Sequence, residues 1–225
     1  MADAYQVIRD FEKAVAQYAG APYCVAVSSC TSALLLACAW YNRHWLARST
    51  QAGFTGLDKR NQKRIHVEIP KRTYVGVPMS IIHAGGRPVF RNEEWKGVYV
   101  LDPMPVWDSA RWFSANMYTG FIRNMLCVSF HCSKTLGLDY GGAILLDDED
   151  AYDWLKRARF HSRREGIAPK DDTFDFIGFD CRMHPTTATL GLMRLPSLPK
   201  HNDPLPWGPG TSSDYPDLSQ MECFK

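Results

Sequence analysis

The segment Cys127-Val128-Ser129-Phe130-His131-Cys132-Ser133-Lys134, followed by Gly141-Gly142, decides how this chain is read. Its first residues have the character of a buried strand, which runs into a polar loop that presents one lysine beside one serine. The two glycines then let a second strand pass close by. A lysine at the mouth of a sheet is partly desolvated, loses its proton more easily and becomes nucleophilic, as Schiff-base chemistry requires. Most lysines are solvated surface charges, so this stretch carries a function only in company.

That company lies upstream. Val27-Ser28-Ser29-Cys30-Thr31-Ser32-Ala33-Leu34 joins a short strand, Tyr23 to Val27, to an alanine- and leucine-rich helix, Ser32 to Tyr41. Hydroxyl residues at such a junction leave backbone N–H groups at a helix N-terminus, which suits a phosphate; an ordinary N-cap uses the same residues. Val106-Trp107-Asp108-Ser109-Ala110-Arg111 ends an apolar strand on an aspartate. A carboxylate there can hold a pyridinium N–H and keep the ring an electron sink, or it can simply open a turn. In chain order, a phosphate turn, a strand-end aspartate and Ser-x-x-x-x-Lys have the layout of a pyridoxal phosphate site.

With these motifs in place, the chain resembles the DegT/DnrJ/EryC1/StrS family, the sugar aminotransferases of fold type I. Its S-G-T-x-A-L stands here as Ser29-Cys30-Thr31-Ser32-Ala33-Leu34, and its E-D-x-A-Q as Trp107-Asp108-Ser109-Ala110-Arg111. S-F-H-x-x-K-x-x-x-x-x-x-G-G is matched by Ser129, Phe130, His131, Lys134, Gly141 and Gly142. T-Y-x-A resembles Thr73-Tyr74-Val75-Gly76, and G-x-N-x-R-M resembles Gly178-Phe179-Asp180-Cys181-Arg182-Met183. The resemblance runs from about Phe11 to Leu195. It implies an α/β fold, the large domain of a fold-type-I enzyme, with a mostly parallel sheet, flanking helices and little of the small C-terminal domain.

The resemblance further implies pyridoxal 5'-phosphate as cofactor, with Lys134 forming the internal aldimine and then serving as base for the 1,3-proton shift. Asp108 would pair with the ring nitrogen and Tyr74 would stack on the ring. The Cys30, Thr31 and Ser32 turn would hold the phosphate together with Ser129, and Arg111 would lie near the phenolic oxygen. The expected reaction moves an amino group from an amino-acid donor such as glutamate to a keto-sugar carried on a nucleotide, in a homodimer whose subunits share their active sites. Two other outcomes remain open at this point. One is a decarboxylase or related pyridoxal phosphate enzyme, acting for instance on a modified nucleotide. The other is a non-catalytic scaffold descended from the family.

The departures from the family pattern are specific. Cys30 replaces a glycine in the phosphate turn, Arg111 replaces a glutamine, and Asp180 puts a carboxylate where an asparagine is expected to help a neighbouring subunit hold phosphate. That last change is unfavourable unless a cation such as Arg182 compensates. Between Phe90 and Asp108 the family carries a further strand–helix unit, and here only Val98 to Leu101 has strand character.

With 225 residues, 45% of them hydrophobic, the chain can bury a substantial single core. Its 26 basic and 24 acidic residues leave a net charge of +2, which gives no strong global field for nucleic acid or membrane. Seven cysteines without C-x-x-C spacing suggest reduced thiols and a cytoplasmic setting, and no pair of motifs has metal-ligand spacing. Met1 to Asp10 lacks the apolar core of a signal peptide, and no stretch is long enough to span a bilayer.

Periodicity predicts helices over Tyr5–Tyr18, Val75–His83, Asp150–His161 and Thr186–Arg194, and strands over Arg64–Ile69, Pro88–Phe90, Met125–Phe130 and Ala143–Leu146. Asn42 to Lys63 reads as an extended loop. Residues 1–195 form the cofactor-binding domain in this reading, and 196–225 form an irregular or disordered proline-rich tail. The basic run Lys156, Arg157, Arg159, His161, Arg163 and Arg164 is either a solvated helix face or a binding surface for an anionic substrate or a nucleic-acid phosphate.

Overall fold

Three strands that are apolar on both faces form the centre of the molecule. Along β1 (Tyr23–Val27), β6 (Met125–Ser129) and β7 (Gly142–Leu146), successive side chains point to opposite sides. Val25, Val27, Cys127 and Ile144 enter one core, while Cys24, Ala26, Val128 and Leu145 enter the other. A strand buried on both faces must be covered on both. Helices α2 (Cys30–Gln51), α3 (Gly76–His83) and α4 (Glu149–Ala158) close the first core, and α1 (Gln6–Ala19) and α5 (Pro185–Arg194) close the second. This three-layer arrangement comes from a computed structural model, which describes residues 5–51, 64–205 and 215–225.

The main sheet has the order β1-β7-β6-β5-β4, with β4 at Tyr99–Val100 and β5 at Val106–Ser109. Strand β7 is antiparallel to both neighbours, while β5 and β6 are parallel, so β1, β5 and β6 all run the same way. Strands β2 (His66–Pro70) and β3 (Arg87–Arg91) form a parallel pair. The backbones of Glu68 and Asp102 exchange hydrogen bonds of 2.7 and 3.2 Å, which joins this pair edgewise to the main sheet. Against the sequence expectation, two strands of the main sheet, β7 and β4, are reversed.

The reversal of β4 has a local cause. Only the stretch Leu101–Pro105 separates it from β5, and the Leu101 N–H donates to the Val106 carbonyl at 2.8 Å. A connection this short can join only antiparallel strands, since a parallel pair needs a crossover of about a dozen residues or more. The expected strand–helix unit is thus replaced by a hairpin.

Helix α2 runs through Gln51, so Asn42 to Gln51 is helical rather than loop. Those ten residues are mostly polar, with Trp45, Leu46 and Ala47 among them, and contain no glycine or proline to end a helix that begins at Cys30; the rest of the expected loop, 52–63, lies outside the described residues. Beyond α5 the described residues form only short 3-10 turns and no strand. Even so, its last residues pack back on the domain: Leu218 is buried, its N–H donates to the Lys71 carbonyl at 2.9 Å, and Asp217 pairs with Lys71 at 2.9 Å.

Most of the basic run is engaged in ion pairs, which weakens it as an anion-binding face. Arg159 is buried, pairs with Glu12 and with Glu165, and donates to the Ala26 carbonyl. Glu12 in turn accepts the Ala26 N–H at 2.9 Å and the Lys156 ammonium at 2.9 Å. Arg157 pairs with Asp175, Arg164 with Asp172 at 2.9 Å, and Arg163 lies over the Phe160 ring at 4.7 Å. The Glu12–Arg159 pair therefore ties α1, β1 and the end of α4 together.

Two substitutions test these contacts. Removing one partner of a buried ion pair leaves the other charge stranded, so Glu12→Ala should cost about 3–5 kcal/mol in denaturant unfolding. In Gly142→Ala, the new Cβ would lie 2.5 Å from the Cys30 nitrogen and 2.6 Å from the Ser29 carbonyl carbon, both backbone atoms. A destabilisation of about 1–3 kcal/mol or more should follow, because neither strand end can yield cheaply.

Candidate active site

The carboxyl ends of β1, β5 and β6 open onto one cavity of about 250 Å³. From the β1–α2 junction come Ser29, Cys30 and Thr31; from the end of β5 come Asp108, Ala110 and Arg111; from the end of β6 come Ser129 and, one loop further, Lys134. Tyr74 borders it from the start of α3. Three motifs far apart in sequence thus meet at the sheet edge where α/β proteins build ligand sites. Of the residues anticipated from sequence, only Ser32 is absent from the lining. Its hydroxyl is turned to Ser28 Oγ at 2.9 Å and Ser29 Oγ at 3.0 Å, so it braces the turn from behind.

The phosphate turn keeps its shape despite Cys30. The thiol points inward and donates to the Cys127 carbonyl at 3.7 Å, and its burial pushes its pKa well up, so it stays a neutral core group. Ser29 caps α2 by accepting the Ser32 N–H at 3.0 Å. On the other side, Gly76 has no side chain where a Cβ would stand 2.9 Å from the Tyr74 ring and 3.0 Å from Thr31 Oγ1. The Tyr74 ring is 56% exposed, which leaves it available to a ligand in the cavity.

Asp108 is 4% exposed, and burial raises its pKa. Three groups oppose that rise: the Ala110 N–H at 2.9 Å from Oδ1, the Tyr99 hydroxyl at 2.8 Å from Oδ2, and the charge of Lys134. Lys134 is half-buried; desolvation lowers its pKa, and the Arg111 guanidinium pushes in the same direction, while Asp108 resists. An amine depressed in this way, above a buried carboxylate, is the arrangement nucleophilic amine chemistry needs. Asp180 lies outside the cavity, with its carboxylate held by Arg182 at 3.2 Å and facing His161 at 3.5 Å.

Sequence reasoning assigned no cofactor-site role to four contributors, Thr73 among them although it stands in a quoted motif. Thr73 and Trp95 line the cavity, and Tyr99 stands behind it under Asp108. Tyr215 reaches the cavity from the C-terminal segment, anchored by the Arg72 guanidinium on its carbonyl at 2.9 Å. Ser29 was visible in the motif but took second place to its neighbours. Among the described residues no cluster could hold a metal ion, and no helix is long and apolar enough to cross a membrane.

Comparison with known proteins agrees with this geometry. The sequence profile of the DegT/DnrJ/EryC1/StrS aminotransferase family matches residues 1–98 and 108–203. Among solved structures, AtS13 from Actinomadura melliaura is similar at 17% identity and a TM-score of 0.62, covering 85% of this chain and 60% of that one. The sugar aminotransferase CalS13 from Micromonospora echinospora is similar at 16% identity and a TM-score of 0.62, covering 85% of this chain and 61% of that one. NtdA from Bacillus subtilis, solved with bound cofactor PMP, shares 16% identity and a TM-score of 0.58 over 84% of this chain and 47% of its own. The chain therefore has the type I fold of these enzymes and spans about 60% of the length of the first two. No match was found among curated proteins.

The titration of Lys134 is open to direct measurement. Its acylation by acetic anhydride, followed across pH by mass spectrometry, should reach half-maximum below the pH typical of exposed lysines. Arg111→Ala should move the midpoint up, because a repelling cation is gone, and Asp108→Asn should move it down.

Proposed function

The chain belongs to the DegT/DnrJ/EryC1/StrS aminotransferase family, and from that premise we propose that it binds pyridoxal 5'-phosphate and transfers an amino group from an amino-acid donor to a nucleotide-linked keto-sugar. The observation that carries this reading is the meeting of Lys134, Asp108 and the Ser29–Thr31 turn around one cavity. The donor set suits that cofactor: a buried carboxylate for a ring nitrogen, a helix start with hydroxyls for a phosphate, an aromatic ring for a ring face, and a depressed amine for an aldehyde. When bound, pyridoxal phosphate supplies a carbonyl that amines condense with and a ring that draws electrons from the substrate carbon.

The residues of this chain then have separable tasks. Asp108 would hold the ring nitrogen in its protonated form, with the Ala110 N–H and the Tyr99 hydroxyl favouring its charged state. Lys134 would take a proton from the substrate carbon and return it at the adjacent position, a role that its lowered pKa suits. Thr31, Ser129 and the first amides of α2 would hold the phosphate, Tyr74 would cover the ring and Arg111 would meet the phenolic oxygen. The apolar rim formed by Tyr74, Val75, Met79 and Tyr140 is exposed beside the cavity, which supports a homodimer closing over it.

An absorbance titration with pyridoxal 5'-phosphate tests this. Wild type should develop a band near the visible edge that borohydride bleaches, and Lys134→Ala should lack it; amino donors should then discharge the band. A wild type that shows no band at saturating cofactor would sink the enzyme reading.

A further inference from the structure

The antiparallel hairpin that replaces the missing strand–helix unit places one tyrosine directly beneath the candidate site. Tyr99, on β4, is 3% exposed and lies opposite Asp108 in the β4–β5 register. Its hydroxyl donates to Asp108 Oδ2 at 2.8 Å and stands 2.6 Å from Thr73 Oγ1. A phenol has one proton to give. With that proton on Asp108, the Thr73 hydroxyl must donate to the Tyr99 oxygen, and a directed relay runs from Thr73 through Tyr99 to Asp108. The ring is held in turn by Trp95, whose centroid lies 4.5 Å away and whose indole N–H donates to the Arg72 carbonyl at 3.0 Å. Residues 99–107, which include this strand, are the internal stretch that the family profile leaves unmatched.

We propose that Tyr99 is a positioning residue: with Thr73 behind it, it holds the Asp108 carboxylate ionised and aimed into the cavity to meet a ring nitrogen. The inference rests on the cofactor reading above for its last clause. The physical need is plain. A carboxylate taken fully out of water favours its neutral form, and only hydrogen bonds or cations restore the charge. Among the groups that oppose this at Asp108, the Ala110 N–H fixes one oxygen and Tyr99 the other. Each carboxylate oxygen accepts one of these bonds, so a lone pair remains on each for a partner in the cavity.

The test uses Tyr99→Phe, which keeps the ring and its packing, and Thr73→Val, which removes the far end of the relay. In the cofactor-free protein, the ¹³C resonance of the Asp108 carboxyl is followed with pH; its midpoint should rise in Tyr99→Phe and rise less in Thr73→Val. Equal midpoints in all three proteins would overturn the proposal. In a second arm, affinities are compared for pyridoxal phosphate and its 1-deaza analogue, which has carbon in place of the ring nitrogen. Loss of a hydrogen bond to a charged group should weaken pyridoxal phosphate binding by about tenfold in Tyr99→Phe and leave the analogue within about twofold. Equal weakening of both ligands would mean a merely structural role. If wild type bound neither ligand, the cofactor reading and the proposal's last clause would fall together, while the carboxyl titration would still decide whether Tyr99 governs Asp108.

Discussion

The close passage of β7 against the start of α2 is the constraint on which the site depends. Gly142 pairs with Val27 on one side and Ser129 on the other, and its α-carbon sits where any side chain would strike the backbone of Ser29 and Cys30. That contact fixes the distance between the β1–α2 turn and the end of β6. Since the turn would hold an anion and β6 leads to Lys134, one backbone approach sets how far the amine lies from the phosphate position. Strand β7 carries none of the proposed cofactor-binding groups itself. It acts as the spacer between the two elements that do.

Much of this was legible in the sequence because the informative residues sit at strand ends, where periodicity stops abruptly. Tyr23–Val27 and Met125–Ser129 are short runs apolar on both faces, and the polar residues that follow them mark the cavity. The motif residues Lys134, Asp108 and Thr31 converge because parallel-running strands deliver their carboxyl ends to the same edge. The reversal of β4 was not read from the sequence, although the stretch between Val100 and Val106 is too short for a parallel crossover. Nor was the continuation of α2, where a mixed composition without a clean period gives no sign of how far the helix runs.

Tyr99, Trp95 and Tyr215 escaped for another reason. Each is a lone aromatic outside any motif, and its role exists only through a partner distant in sequence: Asp108 for Tyr99, the Arg72 carbonyl for Trp95, the Arg72 guanidinium for the Tyr215 backbone. Long-range pairing of this kind leaves no local signature. The basic run makes the complementary point. Six basic residues close together invite an anion, yet five of them face carboxylates supplied by Glu12 on α1, by Glu165 and by the 172–180 segment. The sixth, Arg163, lies over the Phe160 ring. Charge read along the sequence overstated the field because the neutralising charges come from elsewhere in the fold.

The substituted positions follow the same logic. A cysteine in the phosphate turn is tolerable when its thiol turns toward the Cys127 carbonyl and joins the core instead of the cavity. An aspartate at 180 is tolerable when Arg182 and His161 face it. In both cases the departure is compensated within the chain rather than at a ligand. The hairpin at 99–109 differs in kind, because it removes an entire crossover and gives back a buried hydroxyl under Asp108. A sheet that loses a crossover must still satisfy the carboxylate at the end of β5, and here the shortest route back to that strand supplies the donor.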